Sequence, residues 1–214
     1  MSKKLSTQSM RKRSLARWSV FAIALVAGVS LGCSQQNQSL AKSTGPGSAG
    51  TVPAKVTIVS DKELGEPLIV SGTIYAPDGR TPLEGINLFV YQTDATGVYS
   101  TGGNSGDNRD TRIHGLVRSG ADGRYEIRTI KPGSYPASRN PAHIHAYVSG
   151  PGYPEYWIDE YHFTDDPFVT DEMRTKAGTG NFSSILKLTR GTDGVLRGVR
   201  DIKIERCSRN CTGR

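Results

Sequence analysis

From about residue 53 onward, this chain is a succession of short runs rich in β-branched and aromatic residues, each closed by a turn signal. That rhythm constrains the fold more than any other feature, because runs of this kind read as strands. Strands are predicted over 68–75, 86–92, 124–130, 143–149, 156–163 and 195–205. Pro77-Asp78-Gly79 and Ala121-Asp122-Gly123 predict turns between them: aspartate starts the turn and glycine accepts the positive φ that it demands. Only 171–176 predicts a helix, and a short one. Many strands without long helices predict an all-β fold, a β-sandwich or barrel-like sandwich with long loops, and about 150 residues suffice for its core.

Residues 1–32 stand outside that pattern. They carry Lys3, Lys4, Arg11, Lys12, Arg13 and Arg17 with no acidic residue, ahead of an apolar run over 18–31 that is short for a membrane span. A lipoprotein-type signal is predicted, with small residues leading to Cys33 as the lipid-bearing membrane anchor; an ordinary secretory signal or an uncleaved anchor is the alternative. Segment 33–52, rich in Ser, Gln and Gly, predicts a flexible tether, 53–206 the folded domain, and 207–214 a C-terminal tail. The expected location is the cell envelope, outside the cytoplasm, with an outer membrane favoured because Ser34 follows the cysteine. There Cys207 and Cys211 predict a local disulfide. The formal charge of +7 sits almost wholly in the leader, since 21 basic residues face 20 acidic ones beyond it. Nucleic acid is therefore not an expected partner.

The chemistry concentrates in one stretch, Lys131-Pro-Gly-Ser-Tyr135 followed by Asn140-Pro-Ala-His143-Ile-His145. On a strand, residues i and i+2 share a face, so His143 and His145 converge while Ile144 points the other way. Two imidazoles and a phenol suit a transition metal, and a phenolate ligand favours ferric iron. His114 and His162 stand alone, and a lone histidine of this kind reads as packing or surface, with His162 in a predicted strand as cross-strand packing or a pocket wall. The stretch 101–111 is glycine- and asparagine-rich with no apolar residue and predicts a surface loop beside a site; no Walker or dinucleotide pattern surrounds it.

The wording around these residues resembles the C-terminal domain of intradiol ring-cleavage dioxygenases. Pro132-Gly133-Ser134-Tyr135, Pro141-Ala-His143-Ile-His145-Ala146, the preceding Gly123-Arg-Tyr-Glu-Ile-Arg-Thr-Ile-Lys-Pro-Gly133 and the following Ser149-Gly-Pro-Gly-Tyr153 all carry the likeness. So does the span from Pro82-Leu-Glu-Gly85 through Tyr91 to Tyr99, and in all the resemblance covers roughly 68–190. It implies a β-sandwich holding non-haem Fe(III) through Tyr99, Tyr135, His143 and His145, with Tyr99 as the ligand that an incoming diol displaces. The implied reaction opens a catechol-type ring between its two hydroxyl-bearing carbons with O2. Two departures stand out. Asn140 occupies the place of an assisting arginine, with Arg139 one residue earlier, and Glu160 occupies that of a glutamine near the substrate; both are candidate catalytic positions. The alternative class is a non-catalytic transthyretin-like or carboxypeptidase-regulatory-like binding module, whose Gly72-Thr-Ile-Tyr and Pro82-Leu-Glu-Gly85 patterns serve packing alone. Oligomeric state is left open: the span before the domain is short for the helical dimerisation region of cytoplasmic catechol dioxygenases.

Overall fold

The computed structural model describes residues 51–99 and 111–206. The predicted leader, Cys33, nearly all of the tether, loop residues 101–110, Cys207 and Cys211 lie outside the described residues. In chain order the elements are β1 (Lys55–Thr57), β2 (Pro67–Tyr75), β3 (Asn87–Gln92), β4 (His114–Arg118), β5 (Arg124–Ile130), β6 (Ile144–Gly150) and β7 (Tyr153–Phe163). Helix α1 (Asp171–Lys176) and a 3-10 turn (Gly180–Phe182) follow, then β8 (Ile185–Leu186), β9 (Thr189–Arg190), β10 (Leu196–Val199) and β11 (Ile202–Lys203). They form two sheets, β1-β5-β2-β10-β9 with β11 also paired to β2, and β4-β3-β6-β7-β8. The fold is the predicted all-β sandwich.

Alternation along the strands builds the core between the sheets. Leu68, Val70, Ile74 and Ile127 from one sheet belong to the same buried cluster as Leu88, Val90, Ile144, Ala146, Val148 and Phe163 from the other. The predicted turns form as their chemistry requires. The Asp78 carboxylate accepts from the backbone N–H groups of Arg80 and Thr81, and Gly79 takes φ 67°. Helix α1 is capped by Thr170, whose hydroxyl accepts from the Met173 N–H, with Asp171 and Glu172 in the first turn and Lys176 in the last.

One predicted strand breaks in two. Across 195–205, β10 and β11 both run parallel to β2, but Arg200 and Asp201 separate them. The Arg200 carbonyl turns inward to accept from the Tyr125 hydroxyl at 2.7 Å, its guanidinium lies 4.1 Å from the Tyr161 ring centroid, and a Cβ on Gly72 would stand 1.7 Å from that carbonyl oxygen. Gly72 thus makes the room that the break needs. Strand β4 went unpredicted because HGLVR mixes a histidine, a glycine and an arginine around only two aliphatic residues.

Candidate metal centre

The site lies on the face of the second sheet turned away from the core. Ile144 and Ala146 point into the core at 1% and 0% exposure, so the residues between and before them face outward. His143 and His145 bring their Nε2 atoms to 3.1 Å of one another, as the alternation predicts. His143 Nδ1 lies 2.7 Å from the Pro141 carbonyl. A carbonyl can only accept, so Nδ1 carries the proton and Nε2 presents a lone pair.

The two tyrosines arrive on separate loops. After β3 the chain turns through Asp94–Val98, where the Asp94 carboxylate accepts from the Thr96 N–H and hydroxyl and from the Val98 N–H. This tight turn delivers Tyr99. The segment after β5 delivers Tyr135 and packs backbone to backbone against it: Gly133 N–H donates to the Asp94 carbonyl at 2.9 Å, and the Thr93 hydroxyl donates to the Gly133 carbonyl at 2.9 Å. Neither glycine can carry a side chain there. A Cβ on Gly97, which holds φ 80°, would stand 1.8 Å from the Ser134 carbonyl oxygen, and one on Gly133 would stand 2.6 Å from the Ala95 carbonyl oxygen.

The result is a convergence of four donor atoms. Tyr99 Oη lies 2.7 Å from Tyr135 Oη and 2.7 Å from His145 Nε2, while Tyr135 Oη lies 3.1 Å from His143 Nε2 and 3.5 Å from His145 Nε2. Nitrogen and oxygen ligands bind such metals at about 2.0–2.2 Å, so donors around one ion stand roughly 3 Å apart. The four groups therefore fit a single metal ion, and hard phenolates with neutral imidazoles suit Fe(III). A second grouping, His143, His145 and Glu160, also brings potential ligand atoms within 4.8 Å. Its carboxylate, however, lies 3.2 Å from His145 Nδ1, the ring nitrogen opposite the donor cluster. Glu160 stands behind the ligand rather than among the donors.

The electrostatics agree with a site built for a cation. Burial, followed by the hydrogen bond with Tyr135, pushes the Tyr99 phenol well above its ordinary range. Burial lowers the His143 and His162 imidazoles, which keeps them neutral. Glu160 is held below the ordinary carboxylate range, chiefly by the His145 imidazole beside it.

Of the residues predicted from sequence, Tyr99, Tyr135, His143 and His145 meet at one point and Glu160 stands directly behind it. Asn140 does not join them. It is exposed, its backbone N–H donates to the Ser138 hydroxyl, and its side chain makes no hydrogen bond to the donors. Arg139 lies over the Phe168 ring instead. Other contributors went unpredicted. Asp166, buried, accepts from the Ala142 N–H at 2.7 Å, the Ser134 hydroxyl at 3.3 Å and the Phe168 N–H at 2.8 Å, and so ties the Tyr135 loop to the His143 segment. Its only sequence signal is a turn-forming Asp-Asp-Pro. Tyr91 stacks on His145 at 4.5 Å and Trp157 meets the same ring edge-on at 4.9 Å. A cavity of about 230 Å³ is lined by Trp157, Glu160, His162, Met173 and Ile185 among others, and by none of the four donor residues.

A family model described as dioxygenase (Dioxygenase_C) matches residues 47–197. Among characterised proteins, the chain is similar to catechol 1,2-dioxygenase 1 of Acinetobacter lwoffii, at 29% identity over 154 residues that cover 59% of this chain and 49% of the relative. It is also similar to a chlorocatechol 1,2-dioxygenase of Cupriavidus pinatubonensis, at 30% identity covering 52% of this chain and 49% of the relative. The chain thus spans about half the length of these relatives. Among solved structures, it is similar to the dioxygenase domain of a dioxygenase–carbohydrate-binding protein fusion from Streptomyces sp. SirexAA-E. That match has TM-score 0.56 and 26% identity and covers 77% of this chain and 96% of the other. Catechol 1,2-dioxygenase from Pseudomonas arvilla C-1 shares the fold at TM-score 0.58 and 19% identity, covering 77% of this chain and 62% of the other.

Proposed function

Because the chain belongs to the intradiol ring-cleavage dioxygenase family, we propose that it holds non-haem Fe(III) through Tyr99, Tyr135, His143 and His145 and opens a catechol-type ring between its hydroxyl-bearing carbons with O2. The observation that carries this reading is the approach of the four donor atoms to one point, at 2.7–3.5 Å for the pairs measured above. When bound, ferric iron supplies a Lewis-acidic centre that chelates a diol and allows it to react with O2.

The protein's own residues supply the rest. The proton on His143 Nδ1 is fixed by the Pro141 carbonyl, so its Nε2 is ready without rearrangement. Tyr99 Oη is the atom that would receive a proton from an incoming diol. Tyr91 and Trp157 wall His145 and limit water around it. The envelope address, with Cys33 as lipid anchor and 53–206 as the working domain, is supported by the sequence pattern of residues 1–52.

Protein loaded with ferric iron should absorb in the visible through tyrosinate-to-iron charge transfer, and Tyr135→Phe should shift or bleach that band. Oxygen uptake with a panel of diols, followed by product mass, should show both oxygen atoms incorporated and cleavage between the hydroxyls. A preparation that stays colourless after iron loading would overturn the reading in favour of a binding module; cleavage beside the hydroxyls would refute the intradiol assignment. Cys33→Ser should abolish lipid labelling and membrane association if the anchor is correct.

A further inference from the structure

We propose that Glu160 is a positioning residue for this metal centre: its carboxylate fixes His145 in the tautomer whose Nε2 is free to bind, and its charge favours the ferric over the ferrous state. The inference rests on the ferric reading above and adds to it a feature of this chain, since the family resemblance leads one to expect a neutral glutamine here.

Three observations converge. The first is a β-bulge. Ile144 pairs with Tyr161 and Ala146 with Ile158, so two residues of β7, Asp159 and Glu160, stand opposite the single residue His145. A bulge re-aims side chains, and this one brings Glu160 onto the outer face behind the imidazole. The second is an unmet need. His145 Nε2 faces the two phenol oxygens, and to bind a metal ion alongside them it must present its lone pair, which puts the ring's proton on Nδ1. That Nδ1 is buried and has no well-formed hydrogen bond; Glu160 Oε1, 3.2 Å away but oblique to the ring, is the acceptor within reach. The third is asymmetry between the histidines. His143 is oriented by a neutral carbonyl, whereas His145 is backed by a carboxylate whose second oxygen lies 3.8 Å from His162 Nε2.

A carboxylate behind a ligating imidazole makes that ligand a stronger donor and adds a negative charge close to the metal. Two phenolates leave Fe(III) with one net positive charge, and Glu160 neutralises it. The centre therefore holds ferric iron more tightly relative to ferrous iron than it would with a neutral group at 160.

The test compares wild type with Glu160→Gln, which keeps an oxygen acceptor and removes the charge. In iron-loaded protein the variant should lose at least about tenfold of its ferric-over-ferrous preference, read as a rise of about 59 mV in midpoint potential. The tyrosinate band should move to longer wavelength. A second arm needs no iron: 15N NMR of the metal-free protein should show His145 protonated at Nδ1 in wild type, and a mixture of tautomers in Glu160→Ala. An unchanged potential and band in Glu160→Gln, or an unchanged tautomer in Glu160→Ala, overturns the proposal. If wild type never develops the tyrosinate band, the ferric reading fails on its own, and the metal-free tautomer comparison still decides what Glu160 does to His145.

Discussion

At the scale of single residues, the site depends most on atoms that are missing. Gly97 and Gly133 let two loops approach so closely that the backbone of one bonds to the backbone of the other. Gly97→Ala combines a strained positive φ with a collision against the Ser134 carbonyl. We expect it to cost about 1–3 kcal/mol in denaturant unfolding and to weaken iron binding, measured by titration, more than its stability loss alone explains. Asp166 is the complementary case, a buried group that must be present. Asp166→Ala leaves the buried Ala142 N–H without an acceptor, a cost of about 1–3 kcal/mol. Iron affinity should fall by about 10–100-fold, as for other groups that orient metal ligands, with the band broadened as Tyr135 and His143 lose their common fastening. Neither residue announces itself in the sequence. A glycine after a turn and an aspartate before a proline are ordinary turn chemistry, and what makes them matter is a neighbour far away in the chain.

At the scale of elements, β6 and β7 do different kinds of work. Strand β6 is regular, and its alternation, continued one residue back to His143, puts the two histidines on one face and Ile144 in the core; that much was legible because alternation is local. Strand β7 is not regular. Its YPEYWIDEYHF run is aromatic on both faces, so the sequence shows no reset of parity, and the bulge at Asp159–Glu160 emerges only from pairing with β6. Deleting Asp159 should remove the bulge while leaving Ala146 opposite Ile158 and Ile144 opposite Tyr161. The expectation is a stability change within about 1 kcal/mol and a retained visible band, since no core residue changes face. The division of 195–205 into β10 and β11 was hidden for the same reason: Tyr125, Gly72 and Arg200 meet only in three dimensions.

At the scale of the whole molecule, fold and metal are thermodynamically coupled. Iron that binds only the folded chain adds about 2.7 kcal/mol to stability at a hundredfold excess over its dissociation constant. Thermal unfolding should therefore move upward with iron concentration and back down with a chelator. The pH dependence has a definite sign. Because the Tyr99 phenol is raised in the metal-free protein, it holds its proton through the neutral range, and iron must displace that proton to use the oxygen. Apparent iron affinity should rise with pH by about tenfold per unit for this proton alone, measured by competition with a chelator of known proton stoichiometry. The overall architecture was legible early because strand rhythm and turn chemistry repeat along the chain. The assembly of the site was only half legible, since two ligands stand two residues apart at the start of one strand and two come from loops whose meeting no local pattern records.

That division has a mechanical consequence. His145 rides on β6, whose other face is locked into the core, and His143 immediately precedes that strand. The tyrosine pair rides on loops clasped through Gly97 and Gly133, and forms a second stiff body. Asp166 reaches both, holding Ala142 on one side and Ser134 on the other. The pocket is thus built as two jaws fastened through Asp166, and an engineer wishing to widen its bite would work on that clasp before touching any tooth.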